Sequence, residues 1–211
     1  MRKLLLFVWL LLPAGAAAYH YGPGQDRVHV DCAADASDRA AKLAIEARAL
    51  AAKDGDCAAL GLWAKAESVY TEALESLPND RVTESRTLRL ERAKAQMFLS
   101  KLPDAHAELV SLVDELAGDA SADPKLLANA RSALANAQYY RTWLMRLEGA
   151  GQDEWEPEIE ASRQNYKLIA EQAEASGDAQ LAKANQEDLE SSIRLERMNL
   201  NDLQGLPLPS Q

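Results

Sequence analysis

The sequence predicts an all-α fold, and three observations carry that expectation. Alanine, leucine and glutamate dominate the chain, while phenylalanine, isoleucine and valine are sparse, a composition that favours helices over sheets. Apolar residues recur at intervals of three and four, most clearly at Trp63, Ala66, Tyr70, Ala73, Leu74 and Leu77, which is the period of one helical face. Turn-forming clusters at Asp54-Gly55-Asp56, Asn79-Asp80, residues 118–123, Gly149-Ala150-Gly151 and Gly177-Asp178 cut the chain into helix-length pieces.

Residues 1–18 have the make-up of a signal peptide. Arg2 and Lys3 precede the apolar run Leu4–Leu12, and Pro13 and Gly15 lead to Ala16-Ala17-Ala18, a small-x-small cleavage site. The run is too short for an ordinary transmembrane helix. Export to the periplasm or out of the cell is therefore expected, with no stable membrane anchor after cleavage. Residues 19–36 contain Gly22-Pro23-Gly24 and no helical period, so an extended N-terminal arm is expected there.

Seven helices follow in the helical domain, residues 37–200. The first is expected from Ser37 or Asp38 to Lys53, with Leu43, Ala44, Ala47, Leu50 and Ala51 as its apolar stripe. The second runs from Gly61 to Leu77, since the residue before Pro78 avoids helical dihedrals. The third spans Val82–Leu99, and Pro103 lies just inside the fourth, whose face is Ala105, Leu109, Leu112, Val113 and Leu116. The fifth is Pro124–Glu148, with Leu127, Ala130, Leu134, Ala137, Leu144 and Leu147 inward. The sixth starts near Pro157, turning Ile159, Ala161, Tyr166, Ile169 and Ala170 inward. The seventh is Ala179–Asn199, with Glu187, Asp188, Glu190, Arg194, Glu196 and Arg197 giving it a broad charged face. Gly205, Pro207 and Pro209 make residues 201–211 a flexible tail.

Within residues 61–78, Ala66 is followed four residues later by Tyr70 and eight after that by Pro78. That order resembles the second helix of a tetratricopeptide repeat. The resemblance is specific over residues 47–80 and looser over 84–117. In the looser part Ala105 and Leu109 stand for the alanine–aromatic pair, and Ser100 occupies the place of the inter-helix glycine. The third pair matches by layout. The resemblance implies three antiparallel helix pairs stacked as a short α-solenoid, closed by the seventh helix as a cap. It further implies a protein or peptide partner, held on a concave face lined by the first helix of each pair. On that face it would place Arg86, Arg89 and Arg92 of the third helix, whose guanidiniums suit a carboxylate or an acidic peptide. It would also place there Asn129, Asn136, Tyr139 and Tyr140 of the fifth, an amide and phenol row suited to a peptide backbone, with Tyr139 and Trp143 as core filling at the junction with the sixth helix as the competing reading. The arginines have a competing reading as ion pairs with Glu84 and Glu91 of their own helix, or with Asp80 and the fourth helix. A compact bundle enclosing a small ligand beside Tyr139, Tyr140 and Trp143 is the alternative architecture and function.

The formal net charge of −10 disfavours nucleic acid as a partner. Neither HExxH, CxxC, GxSxG nor a phosphate-cradling glycine loop occurs in the sequence, so no enzyme activity, metal or cofactor is expected. His29, Asp31 and Cys32 have ligand chemistry at close spacing, but the histidines read as surface residues. Cys32 and Cys57 are the two cysteines. In an exported chain they are candidates for a disulfide stapling the arm to the first repeat, with two free thiols as the alternative.

Overall fold

A computed structural model describes Pro13, Gly15, Ala17, Tyr19, residues 23–199, Asp202 and Leu203. Most of the expected signal peptide and of the tail lies outside the described residues. Those that are described form seven α-helices and no strand: α1 (Pro23–Asp54), α2 (Asp56–Ser76), α3 (Val82–Met97), α4 (Leu102–Gly118), α5 (Pro124–Leu147), α6 (Gln152–Ser176) and α7 (Ala179–Arg197). None of these helices is long and apolar enough to cross a membrane. The chain divides into two compact units, Met1–Leu88 and Arg89–Gln211, so the first turns of α3 fall in one and its remainder in the other.

In the first unit α1 begins at Pro23, well upstream of Ser37, and occupies most of what was expected to be an extended arm. The reason is an alanine stripe. Ala33, Ala36, Ala40, Ala44 and Ala47 are all buried at helical spacing, so the packed face extends upstream of Ser37 as far as Ala33, and the helix runs on from there to Pro23. Ala36, Ala40, Ala66, Tyr70, Ala73 and Leu88 form one cluster. Alanines let two helix backbones approach, and the Tyr70 ring fills the space beside them. At its edges the Arg48 guanidinium lies 5.6 Å from the Trp63 ring centroid, and Arg39 Nη2 donates to Glu72 Oε1 at 2.9 Å. α2 starts at Asp56, directly after Gly55 at φ +90°. Gly61, expected to open the helix, lies inside it.

In the second unit Leu90 and Ala93 of α3 join Leu102, Ala105, Leu109, Leu112 and Leu116 of α4 and Leu126, Ala130, Ala133, Leu134 and Ala137 of α5. Every residue from Ala133 to Tyr139 is buried, so the middle of α5 is enclosed on all sides. Leu144 and Leu147, expected in that core, are exposed. A second cluster joins Tyr139, Ile159, Leu195 and Leu203, with Trp143, Trp155 and Met198 against it. Leu203 is thus fixed: it is buried, and its carbonyl accepts from Trp143 Nε1 at 3.2 Å. Arg146 donates to the carbonyls of Leu195 and Met198 and stacks on Trp155 at 4.6 Å, a cation closing the carbonyl end of α7. α6 starts at Gln152, so Pro157 lies inside it rather than at its start. A proline there leaves the Asp153 carbonyl without its usual helical donor.

Three helix ends share one closure. After α3, α5 and α6 the chain passes through a left-handed residue, namely Ser100 at φ +58° and Gly149 and Gly177 at +79°. Just beyond, Lys101, Ala150 and Asp178 donate N–H back to the carbonyls of Gln96, Met145 and Ala173 at 3.2, 2.9 and 2.9 Å. This is the Schellman arrangement. Ser100 therefore takes the left-handed conformation that glycine favours.

Candidate functional site

The arginines of α3 are occupied. Arg89 Nε donates to Glu108 Oε1 at 2.5 Å and its Nη1 to Glu115 Oε2 at 2.7 Å, while Arg92 Nη2 reaches Glu108 Oε2 at 3.3 Å. Burial works against the Arg89 charge, yet the two carboxylates outweigh it and raise the guanidinium pKa. Arg86 is buried. Of the two readings open at the sequence level, pairing with the fourth helix describes Arg89 and Arg92.

The α5 row separates into parts. Asn129 is exposed and Tyr140 partly buried against the α3–α5 core, whereas Asn136 and Tyr139 are buried. Asn136 Oδ1 accepts from the Tyr166 hydroxyl at 2.5 Å; beside it Asn165 Nδ2 donates to Gln138 Oε1 at 3.0 Å, and the Ser162 hydroxyl donates to the Ala135 carbonyl at 2.9 Å. These bonds tie α5 to α6. α7 turns Ala182, Asn185, Asp188, Ser192 and Leu195 inward, so Asp188 is not part of the solvated charged face. Burial, then the negative charge of Asp188, pushes the Tyr166 phenol well above its ordinary pKa. Burial also raises that of Tyr139, with Arg194 opposing. The Tyr139 hydroxyl is buried without a hydrogen-bond partner among the described residues. Asn136 and Tyr139 therefore belong to a packed polar seam, Tyr139 with no exposed surface and Asn136 with little.

A three-helix ion cluster lies in the same unit. Glu158 Oε1 of α6 accepts from Arg141 Nη1 of α5 at 2.8 Å, and its Oε2 is 3.2 Å from His106 Nε2 of α4. Arg141 Nη1 also lies 3.3 Å from His106 Nδ1. The imidazole and the guanidinium hold the Glu158 carboxyl below its ordinary pKa against the opposing effect of burial. No local spacing links residues 106, 141 and 158, so this cluster has no signature in the sequence.

An open groove of about 310 Å³ lies in the first unit. From α1 come Val30, Ala33, Ala34, Ser37 and Asp38; Leu77 follows α2; and Thr83, Glu84, Thr87 and Leu88 come from α3. Its floor is aliphatic, and its rim carries hydroxyls and carboxylates. Next to it, sharing Asp38, a polar depression of about 460 Å³ is bordered by Cys32, Asp35, Arg39, Lys42 and Glu72. The groove depends on the upstream turns of α1, which the reading of residues 19–36 as an extended arm concealed.

Cys32 and Cys57 are both free, exposed thiols, so no disulfide joins them. With Cys32 inside a continuous helix and Cys57 at the start of α2, more than twenty rigid α1 residues separate Cys32 from the turn at Gly55, about 33 Å at 1.5 Å per residue. Among the described residues no three histidine, cysteine or acidic side chains gather where they could hold a metal ion. No family model, curated protein or solved structure matches the chain.

Proposed function

We propose that this chain is an exported, tetratricopeptide-like scaffold that holds a peptide or protein segment on the faces of its first-in-pair helices, without bond making. The observation that carries the reading is the groove of about 310 Å³ between α1 and α3, the first helices of two successive pairs. An aliphatic floor with a polar rim is the usual composition of a peptide-recognition groove. Antiparallel pairing is supported by contacts whose residue numbers rise on one helix as they fall on the next. Arg39 meets Glu72 and Arg48 meets Trp63 on α1 and α2; Ser162 meets Ala135 and Glu158 meets Arg141 on α5 and α6. Export is supported by the basic, apolar and small-residue order of residues 1–18.

The test compares the wild-type chain with Ala34→Trp in capture from an envelope fraction. Ala34 is exposed and lines the groove, so an indole there fills it without entering the core. The wild type should retain a partner that the variant loses, with identical circular dichroism. Equal retention by both would remove the groove from the site. The mass of the exported protein should correspond to a chain starting near Tyr19.

A further inference from the structure

We infer that the segment held in this groove carries a large apolar anchor flanked by lysine or arginine. The inference rests on the groove reading above and adds the partner's chemistry. Val30, Ala33, Leu77 and Leu88 offer only hydrocarbon, so the group that enters is apolar. Beside it Asp31, Asp35 and Asp38 are exposed on α1 at intervals of four and three, which places them along one side of the helix. Among the described residues none of the three makes an ion pair. The neighbouring acids differ: Glu72 is answered by Arg39 at 2.9 Å, and Glu84 has Arg81 at 3.8 Å. Arg39 and Lys42 border the same depression, one turn beyond Asp35 and Asp38, and Arg27 stands one turn before Asp31, yet among the described residues none of these cations pairs with the three aspartates. A cationic flank lying over Asp31, Asp35 and Asp38 gains attraction that an acidic flank would meet as repulsion.

The two thiols provide an internal footprint. Cys32 borders the depression shared with the groove, whereas Cys57 lies at the start of α2 outside both linings, and both are exposed. The probes are two pools of ten-residue peptides with leucine, phenylalanine, tryptophan or methionine at two central positions. One pool has three flanking lysines and the other three flanking glutamates. Iodoacetamide modification of each cysteine is followed by mass spectrometry. The lysine pool should slow modification of Cys32 severalfold, leave Cys57 unchanged, and lose this effect in high salt. Asp35→Asn with Asp38→Asn should weaken that protection roughly three- to tenfold, and Ala34→Trp should abolish it. Equal or greater protection by the glutamate pool would overturn the basic-flank inference and leave the groove standing. Failure of both pools to protect Cys32 would overturn both. Protection that survives Ala34→Trp would mean the acids bind without the groove and would overturn the apolar anchor.

Discussion

Ser100→Gly is expected to stabilise the protein. Ser100 closes α3 at φ +58°, where Gly149 and Gly177 close α5 and α6 at +79°. Crowding between a side chain and its own backbone in that region disfavours an L-residue by roughly 1–2 kcal/mol, and glycine removes it. Glycine also frees the unfolded chain, which offsets roughly 0.4–1 kcal/mol of the gain. The balance is a net stabilisation of roughly 0–1.6 kcal/mol, centred near 0.8. The hydrogen bond from Lys101 N–H to the Gln96 carbonyl needs only the backbone geometry and is retained. Gly177→Ala is the mirror experiment. Nothing lies within 4 Å of the position its Cβ would take, so no clash adds to the same balance of strain and unfolded-chain entropy, and a loss of similar size is expected. Urea unfolding, with the slope checked for constancy between variants, measures both changes. A lower midpoint for Ser100→Gly, or shifts of the same sign in the two variants, would refute the assignment of strain to this turn.

Ala66→Phe should destabilise the first unit by roughly 1–3 kcal/mol, because Ala66 is fully buried in the cluster with Ala36, Ala40 and Tyr70; an unmoved urea midpoint would mean that the crossing tolerates a ring. Glu158 has a depressed carboxyl pKa, with His106 and Arg141 favouring its charge. Its contribution is therefore complete above the ordinary carboxylate pKa and is lost as pH falls through the lowered folded value. Glu158→Gln should remove about 1–3 kcal/mol near neutrality and flatten that part of the acid limb, whereas parallel stability–pH curves for the two proteins would exclude the cluster as a source of acid sensitivity.

Helix number and order were legible because the three- and four-residue apolar period and the turn clusters are local signals. Helix starts were less so. The upstream turns of α1 are packed through Ala33 and Ala36, and alanine carries too little hydrophobic contrast to stand out against a Gly-Pro-Gly segment. Pro157 read as a helix opener because proline favours first turns, yet Gly151 and the acids Asp153 and Glu154 already open α6 upstream. The pairing of Arg89 and Arg92 and the burial of Asn136 and Tyr139 were hidden for a different reason. Helical spacing says which residues share a face but not what lies opposite. Arg89 meets Glu108 and Glu115 only across a helix junction, and that is a tertiary fact. Enclosure of α5 left one trace in the sequence: Ala133-Leu134-Ala135-Asn136-Ala137 has no charged residue on any side.

The acid excess of the chain decides which polarity a binding face can have. With 33 acids against 23 basic residues, cations are the scarcer partners, and several arginines are engaged by carboxylates that are partly buried. Arg89, Arg92, Arg141 and Arg163 all sit on such carboxylates, at Glu108, Glu158 and Glu196. A partly buried pair is hard to break, since removing one partner strands the other charge away from water. An acidic ligand would have to displace Glu108 from Arg89 and Arg92 before gaining any contact with them. A basic ligand meets no such barrier at Asp31, Asp35 and Asp38, which are exposed and without ion pairs among the described residues. Competition for guanidinium groups inside the fold thus argues for a cationic partner on α1, the opposite of what arginines spaced by three on α3 suggest when read alone.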